Sequence, residues 1–148
     1  MIGENLTLLL ADDDADDCLF FKDALAELDV AASLTVVSDG VELMDFLRDE
    51  TRFPSVLYLD LNMPRKNGVE CLVEIRAIDK LKHMPIVIFS TSFNVDMVNA
   101  LYDSGATYYI RKPAEFKILK DVILKSIQLV SELNGVKPAK EAFVVSSV

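Results

Sequence analysis

The chain has 148 residues, a hydrophobic share of 51% and a formal net charge of −9, with a mean hydropathy of +0.29. These values fit one globular domain with a sizeable core and exclude a disordered chain; the acidic balance disfavours nonspecific contact with nucleic acid or an anionic membrane. The apolar runs, such as 8–11 and 85–89, fall far short of the roughly 18 residues that cross a bilayer, and no basic segment precedes the first of them, which argues against a signal peptide.

In chain order, a strand is expected at 6–11, followed by a helix at 16–28 in which Cys18, Phe21, Leu25 and Leu28 recur at helical spacing. A second strand at 33–37 runs into Ser38, Asp39 and Gly40, an ordinary turn and cap for a helix at 41–48. A strand at 55–59, a helix at 68–78, a strand at 85–90, a helix at 95–104 and a strand at 107–110 come next. The last helix runs from about 114 to 133, with Phe116, Leu119, Ile123, Ile127 and Val130 on one stripe. Asn134 and Gly135 then end it.

The strand segments are apolar at nearly every position instead of alternating, as in a sheet buried on both faces. Five β–α units in succession predict an α/β fold: a doubly wound, five-stranded parallel sheet with helices on both faces, in the flavodoxin-like strand order 2-1-3-4-5. One domain is expected over 1–133, with a C-terminal tail over 134–148. That tail is too short for an output domain of about 50 residues or more. In the tail, Phe143, Val144 and Val145 form an apolar patch expected to pack on the domain or on a second copy. Cys18 and Cys71, with no CxxC spacing, are expected to be free buried thiols of a reducing cytoplasm. His83, in the charged segment DKLKHMP, is expected at the surface, and Met44 and Met97 in packing roles.

In such a sheet the site lies at the carboxyl ends of the strands. There the sequence places Asp12 and Asp13 (first strand), Asp60 (third), Ser90 (fourth), and Lys112 and Pro113 (fifth). Carboxylates converging in one pocket repel, so protonation or a cation must relieve them. Hard oxygen ligands without His or Cys favour Mg²⁺, with Mn²⁺ possible. Lys112 adds a fixed positive charge and Ser90 a hydroxyl, so the pocket suits a group with several anionic oxygens, a phosphoryl group. Asp60 is the candidate acceptor. Asp14, Asp16 and Asp17 read instead as the solvated acidic start of a helix, favoured by its dipole.

These residues resemble the receiver domain of bacterial response regulators, the partners of histidine kinases in two-component signalling. The resemblance spans about 6–133 and rests on LLLADDD, LYLDLNMPRKNG, PIVIFSTS and YYIRKP. The second segment is the most specific, with Asp60, Met63, Pro64 and Gly68 at the family's spacing. The resemblance implies a stand-alone regulator, phosphorylated on Asp60 by a histidine kinase or a histidine phosphotransfer protein. By the same resemblance it would catalyse nothing beyond its own phosphorylation and dephosphorylation. It implies metal held by Asp13 and Asp60 with the backbone carbonyl of Asn62, and by Asp12 mostly through water. Ser90 and Lys112 would bind phosphoryl oxygens, the peptide bond between Lys112 and Pro113 would be cis, and Gly68 would permit a turn that bulkier residues resist.

Tyr109 stands at the family's aromatic switch: when Ser90 moves toward the phosphoryl group it vacates space that the ring can occupy. Tyr108 points to the opposite sheet face and receives no role. Output would pass by protein contact, by relay to another phosphotransfer protein, to a downstream target or to a second copy through the fourth helix, fifth strand and last helix; neither nucleic acid nor membrane is an expected partner. The segments LADDDADD and NMPRKNG resemble regulators paired with phytochrome-type or hybrid histidine kinases. Ser90 replaces the more frequent Thr, Thr91 stands where a small residue is usual, and Asn62 and Ser92 occupy positions that tune phosphoryl lifetime. Two other readings compete. An aspartate-nucleophile phosphohydrolase would carry a second Asp where Asn62 stands. A pseudo-receiver binding module would have lost part of the acid pocket.

Overall fold

In a computed structural model the described residues are 5–49 and 53–147. The elements are β1 (Leu6–Ala11), α1 (Ala15–Ala26), β2 (Ala32–Val37), α2 (Gly40–Leu47), β3 (Val56–Leu59), α3 (Gly68–Ala77), β4 (Ile86–Ser90), α4 (Val95–Asp103), β5 (Tyr108–Arg111) and α5 (Phe116–Ser131). Short 3₁₀ turns cover Asp79–Leu81 and Lys140–Ala142. The strands form one parallel sheet in the order β2-β1-β3-β4-β5. This is the expected doubly wound topology.

Two apolar layers sandwich the sheet. On one face Leu9, Leu57, Leu59 and Ile88 pack against Leu43, Met44 and Leu47 of α2, Leu72 and Ile75 of α3, and Val98 and Leu101 of α4. On the other, Leu8, Leu10, Tyr58 and Phe89 pack against Phe21 and Leu25 of α1 and Leu119, Ile123 and Ile127 of α5. All four residues of β3 are buried, which is why that segment cannot alternate. The Tyr58 hydroxyl pairs with Ser126 Oγ at 2.7 Å, so the one polar group that β3 sends toward α5 is satisfied. Tyr109 lies in the first layer and Tyr108 in the second, as strand alternation requires.

Some boundaries and details differ from expectation. α5 begins at Phe116, because Pro113 precedes a short turn and Glu115 serves as its N-cap. No cis peptide occurs among the described residues, so the bond between Lys112 and Pro113 is trans, contrary to the cis form expected. Trans is the lower-energy state of an X–Pro bond, and from it the Lys112 side chain already reaches the acidic pocket. Gly68 is needed for close approach, not for a left-handed turn: a Cβ there would sit 2.3 Å from the Asp60 carbonyl oxygen. Cys71 is buried as expected, but Cys18 is only half-buried. Met44 is in the core, Met97 packs against it, and His83 is exposed. Phe143 and Val145 pack on the domain itself, while Val144 between them is exposed.

Candidate acidic site at the carboxyl edge of the sheet

Strand pairing continues one residue past the strands and positions two of the acids. Asp12 N–H donates to the Val37 carbonyl at 3.0 Å, and Asp60 N–H donates to the Ala11 carbonyl at 2.9 Å. The backbones of Asp12 and Asp60 are thereby fixed side by side on the adjacent strands β1 and β3. Lys112 is fixed in the same way, its N–H donating to the Ser90 carbonyl at 2.8 Å across β4 and β5. After Asp60 the chain turns through Met63, Pro64 and Arg65, whose φ is +66°. It returns with Gly68 N–H on the Leu61 carbonyl at 3.0 Å. Asn67 then caps α3: its side chain accepts the Glu70 N–H, and the Glu70 carboxylate accepts the Asn67 N–H.

Asp12, Asp13 and Asp60 each offer a carboxylate oxygen, and these oxygens lie within 4.8 Å of one another. Asp12 and Asp60 are buried, whereas Asp13 is exposed on the open side. Asp12 Oδ1 accepts the Asp14 N–H at 3.0 Å. Its Oδ2 is buried and forms an ion pair with Lys112. The Lys112 ammonium lies 2.8 Å from that atom, 2.9 Å from Asp17 Oδ2 and 3.7 Å from Asp60 Oδ2. One cation thus faces a larger number of acids.

The electrostatics follow from burial first and from these charges second. Burial pushes the Asp60 carboxyl up to about 6. The Lys112 ammonium opposes the rise, the Asp12 charge adds to it, and the backbone amides of Asn62 and Leu61 oppose it further. Burial works against the Lys112 ammonium too, but its contacts with Asp12 and Asp17 outweigh that cost and its pKa is raised. Burial and the Asp12 charge push the Cys18 thiol up to about 11, which leaves it a poor nucleophile at neutral pH.

The remaining predicted residues lie at the ends of β3, β4 and β5. Ser90 is fully buried at the end of β4, and its Oγ accepts the Ser92 N–H at 3.2 Å. Tyr109 is fully buried, and its hydroxyl donates to the Ser92 carbonyl. Phe93 packs edge-on against the Tyr109 ring at 5.8 Å. Asn62 and Pro64 lie in the exposed loop after Asp60. Asp17 is the residue that sequence reasoning missed. Asp14 is the N-cap of α1, accepting the N–H groups of Asp16 and Asp17, as an acidic helix start should. That cap turns the Asp17 side chain back toward the strand ends, where it meets Lys112. Its place three residues after a capping Asp was the only available signal.

Two buried carboxylates and an exposed third, their oxygens within 4.8 Å of one another and no His or Cys in the cluster, fit a hard divalent cation. The comparisons agree with such a site. A family model described as the response regulator receiver domain matches residues 8–124. The response regulator Rcp1 of Synechocystis sp. is 32% identical over 117 residues, covering 76% of this chain and 80% of that protein. Among solved structures, the phosphorylated cyanobacterial phytochrome response regulator RcpA is 35% identical with a TM-score of 0.76, covering 84% of this chain and 92% of that one. The Mn²⁺-bound form of Rcp1 is 29% identical with a TM-score of 0.75, covering 90% and 99%. No described helix is long and apolar enough to cross a membrane.

Proposed function

Because this chain belongs to the response regulator receiver family, we propose that it is a phosphorylation switch whose acceptor is Asp60. A histidine kinase or a histidine phosphotransfer protein supplies the phosphoryl group. An Asp60 carboxylate oxygen bonds to phosphorus as the P–N bond of the phosphohistidine breaks, and the imidazole leaves. Such transfer depends on positioning and charge neutralisation more than on covalent machinery. The observation that carries the reading is the Lys112 ammonium held between Asp12 and Asp60, at 2.8 and 3.7 Å. There it can pair with a phosphoryl oxygen without leaving its acids.

Asp12, Asp13 and Asp60, with the backbone carbonyl of Asn62, would hold Mg²⁺ or Mn²⁺. A bound divalent ion supplies neutralisation of the anionic oxygens that gather at Asp60. The three carboxylate oxygens within 4.8 Å of one another support this assignment, since a hard cation relieves their mutual repulsion. Ser90 would donate its hydroxyl to a phosphoryl oxygen, letting go of Ser92, and Tyr109 would follow as the switch. Output would run through the face built by α4, β5 and α5, onto a downstream protein or a second copy. Transfer from a kinase of this type would take place in the cytoplasm. Asn62, at the position where a hydrolase of the aspartate-nucleophile type carries its second acid, supports a regulator over an enzyme.

The test is incubation with acetyl phosphate and Mg²⁺ followed by intact mass. One phosphoryl adduct is expected on the native chain and none on Asp60→Asn. An adduct that survives Asp60→Asn contradicts the assignment.

A further inference from the structure

The face expected to carry output is not bare. After α5 the chain reverses at Asn134 and Gly135, both with positive φ. It then crosses α4: the Lys137 ammonium donates to the Tyr102 carbonyl at 2.6 Å, and the Tyr102 hydroxyl donates to the Pro138 carbonyl at 2.8 Å. Past the Lys140–Ala142 turn, Phe143 packs edge-on against Tyr102 at 5.2 Å and tilted against Tyr109 at 6.3 Å. Tyr109 N–H donates to the Phe143 carbonyl at 2.9 Å, and Val145 N–H donates to the Tyr109 carbonyl at 2.8 Å. The segment is therefore a parallel addition to the outer edge of β5, centred on Tyr109. Phe143 joins one apolar layer and Val145 the other.

Tyr109 consequently answers to two sets of contacts. Its backbone and one side of its ring belong to the tail. Its hydroxyl holds the Ser92 carbonyl, and the Ser92 N–H in turn holds Ser90 Oγ. Undocking the tail would strip two edge hydrogen bonds from Tyr109 and remove the Phe143 wall from its ring. The buried ring position is the one that the switch reading assigns to the phosphorylated state, and here the tail helps to hold it.

From this we infer that residues 139–146 are an internal ligand of Tyr109, and that their docking is positively coupled to phosphorylation of Asp60. The inference rests on the reading of Asp60 as acceptor and Tyr109 as switch. Both events favour the same buried ring. Reciprocity of linked equilibria then requires that phosphorylation tighten the tail and that a loosened tail disfavour phosphorylation.

The test uses the full chain with acetyl phosphate and Mg²⁺. It measures hydrogen exchange at the Tyr109 and Val145 amides, with phosphoryl occupancy read by intact mass in the same samples. Phe143→Ala removes the ring wall, and Val145→Pro removes the amide that donates to Tyr109. Exchange at Val145 is expected to slow about 5-fold or more in the phosphorylated native chain, and both variants are expected to hold a steady-state ratio of phosphorylated to free chain about 5-fold lower at equal acetyl phosphate. A full adduct with unchanged or faster exchange overturns the coupling alone, as do variants that reach the native phosphoryl occupancy. Absence of any adduct overturns the acceptor reading and the coupling with it. Protection of Val145 that grows with protein concentration overturns the internal docking in favour of a second copy.

Discussion

Asp60 is held in its pocket at a cost to the stability of the fold. Its carboxyl is raised from 3.8 to about 6, with burial the largest cause. A raised carboxyl binds a proton more tightly in the folded chain than in the unfolded one. Stability is therefore lost as pH climbs from about 4 to about 6, and the loss persists above that range. Asp60→Asn removes the charge, so in chelator-treated protein it should raise stability at pH 7.5 by up to about 3 kcal/mol and have little effect near pH 4. Thermal melts at the two pH values check this; equal shifts at both would contradict it. Lys112 carries the opposite charge in the same pocket. Lys112→Met leaves the acids without their cation, so it should tighten Mg²⁺ binding about 10-fold while slowing phosphorylation by acetyl phosphate by a comparable or larger factor. Calorimetric Mg²⁺ titration beside a phosphorylation time course separates the two effects.

At the scale of elements, the segment from β3 to α3 fixes Asp60. Gly68 begins α3 with its Cα against the Asp60 carbonyl, and the Asn67–Glu70 capping box anchors the turn from the other side. Gly68→Ala would place its Cβ 2.3 Å from that carbonyl oxygen and 2.9 Å from Leu61 Cα. Backbone atoms cannot yield as a flexible side chain can. The variant should lose about 2–3 kcal/mol in urea unfolding and phosphorylate more slowly, because Asp60 moves with its carbonyl. Unchanged stability would mean that the loop relaxes freely. The outer edge of β5 shows the same dependence on a neighbouring segment, since the tail supplies the partners that an edge strand otherwise lacks.

For the whole molecule, the topology was legible because both faces of the sheet are covered. Val56, Leu57, Tyr58 and Leu59 are all buried, and a run of that kind between turn signals has few other placements. Once the strand order was set, Asp12, Asp60, Ser90 and Lys112 had to meet at one edge, so their neighbourhood could be read without coordinates. What escaped depends on angles and on distant packing. Asp17, in the first turn of α1, meets Lys112 across 95 residues of chain. The peptide bond between Lys112 and Pro113 is trans although cis was expected. The docking of Phe143 on Tyr109 is a contact between residues far apart in the chain, with no local signal beyond apolar character. A divalent ion that settles the acid cluster should stabilise the entire fold, since it binds only where the strand ends have converged. Mg²⁺ at about 10 to 100 times its dissociation constant should add roughly 1.4 to 2.7 kcal/mol. That gain should vanish with chelator and shrink as pH falls through about 6, where Asp60 takes up its proton.

The most direct measurement locates the phosphoryl group. An aspartyl phosphate is an acyl phosphate, which borohydride reduces to an alcohol, converting the modified residue to homoserine and releasing phosphate. Peptide mass mapping after treatment with acetyl phosphate, Mg²⁺ and borodeuteride should find that label at position 60 alone, and find it lost when Mg²⁺ is chelated. A label on Asp12, Asp13 or any other carboxylate, or one at position 60 that forms equally well without a divalent ion, would contradict the site described above.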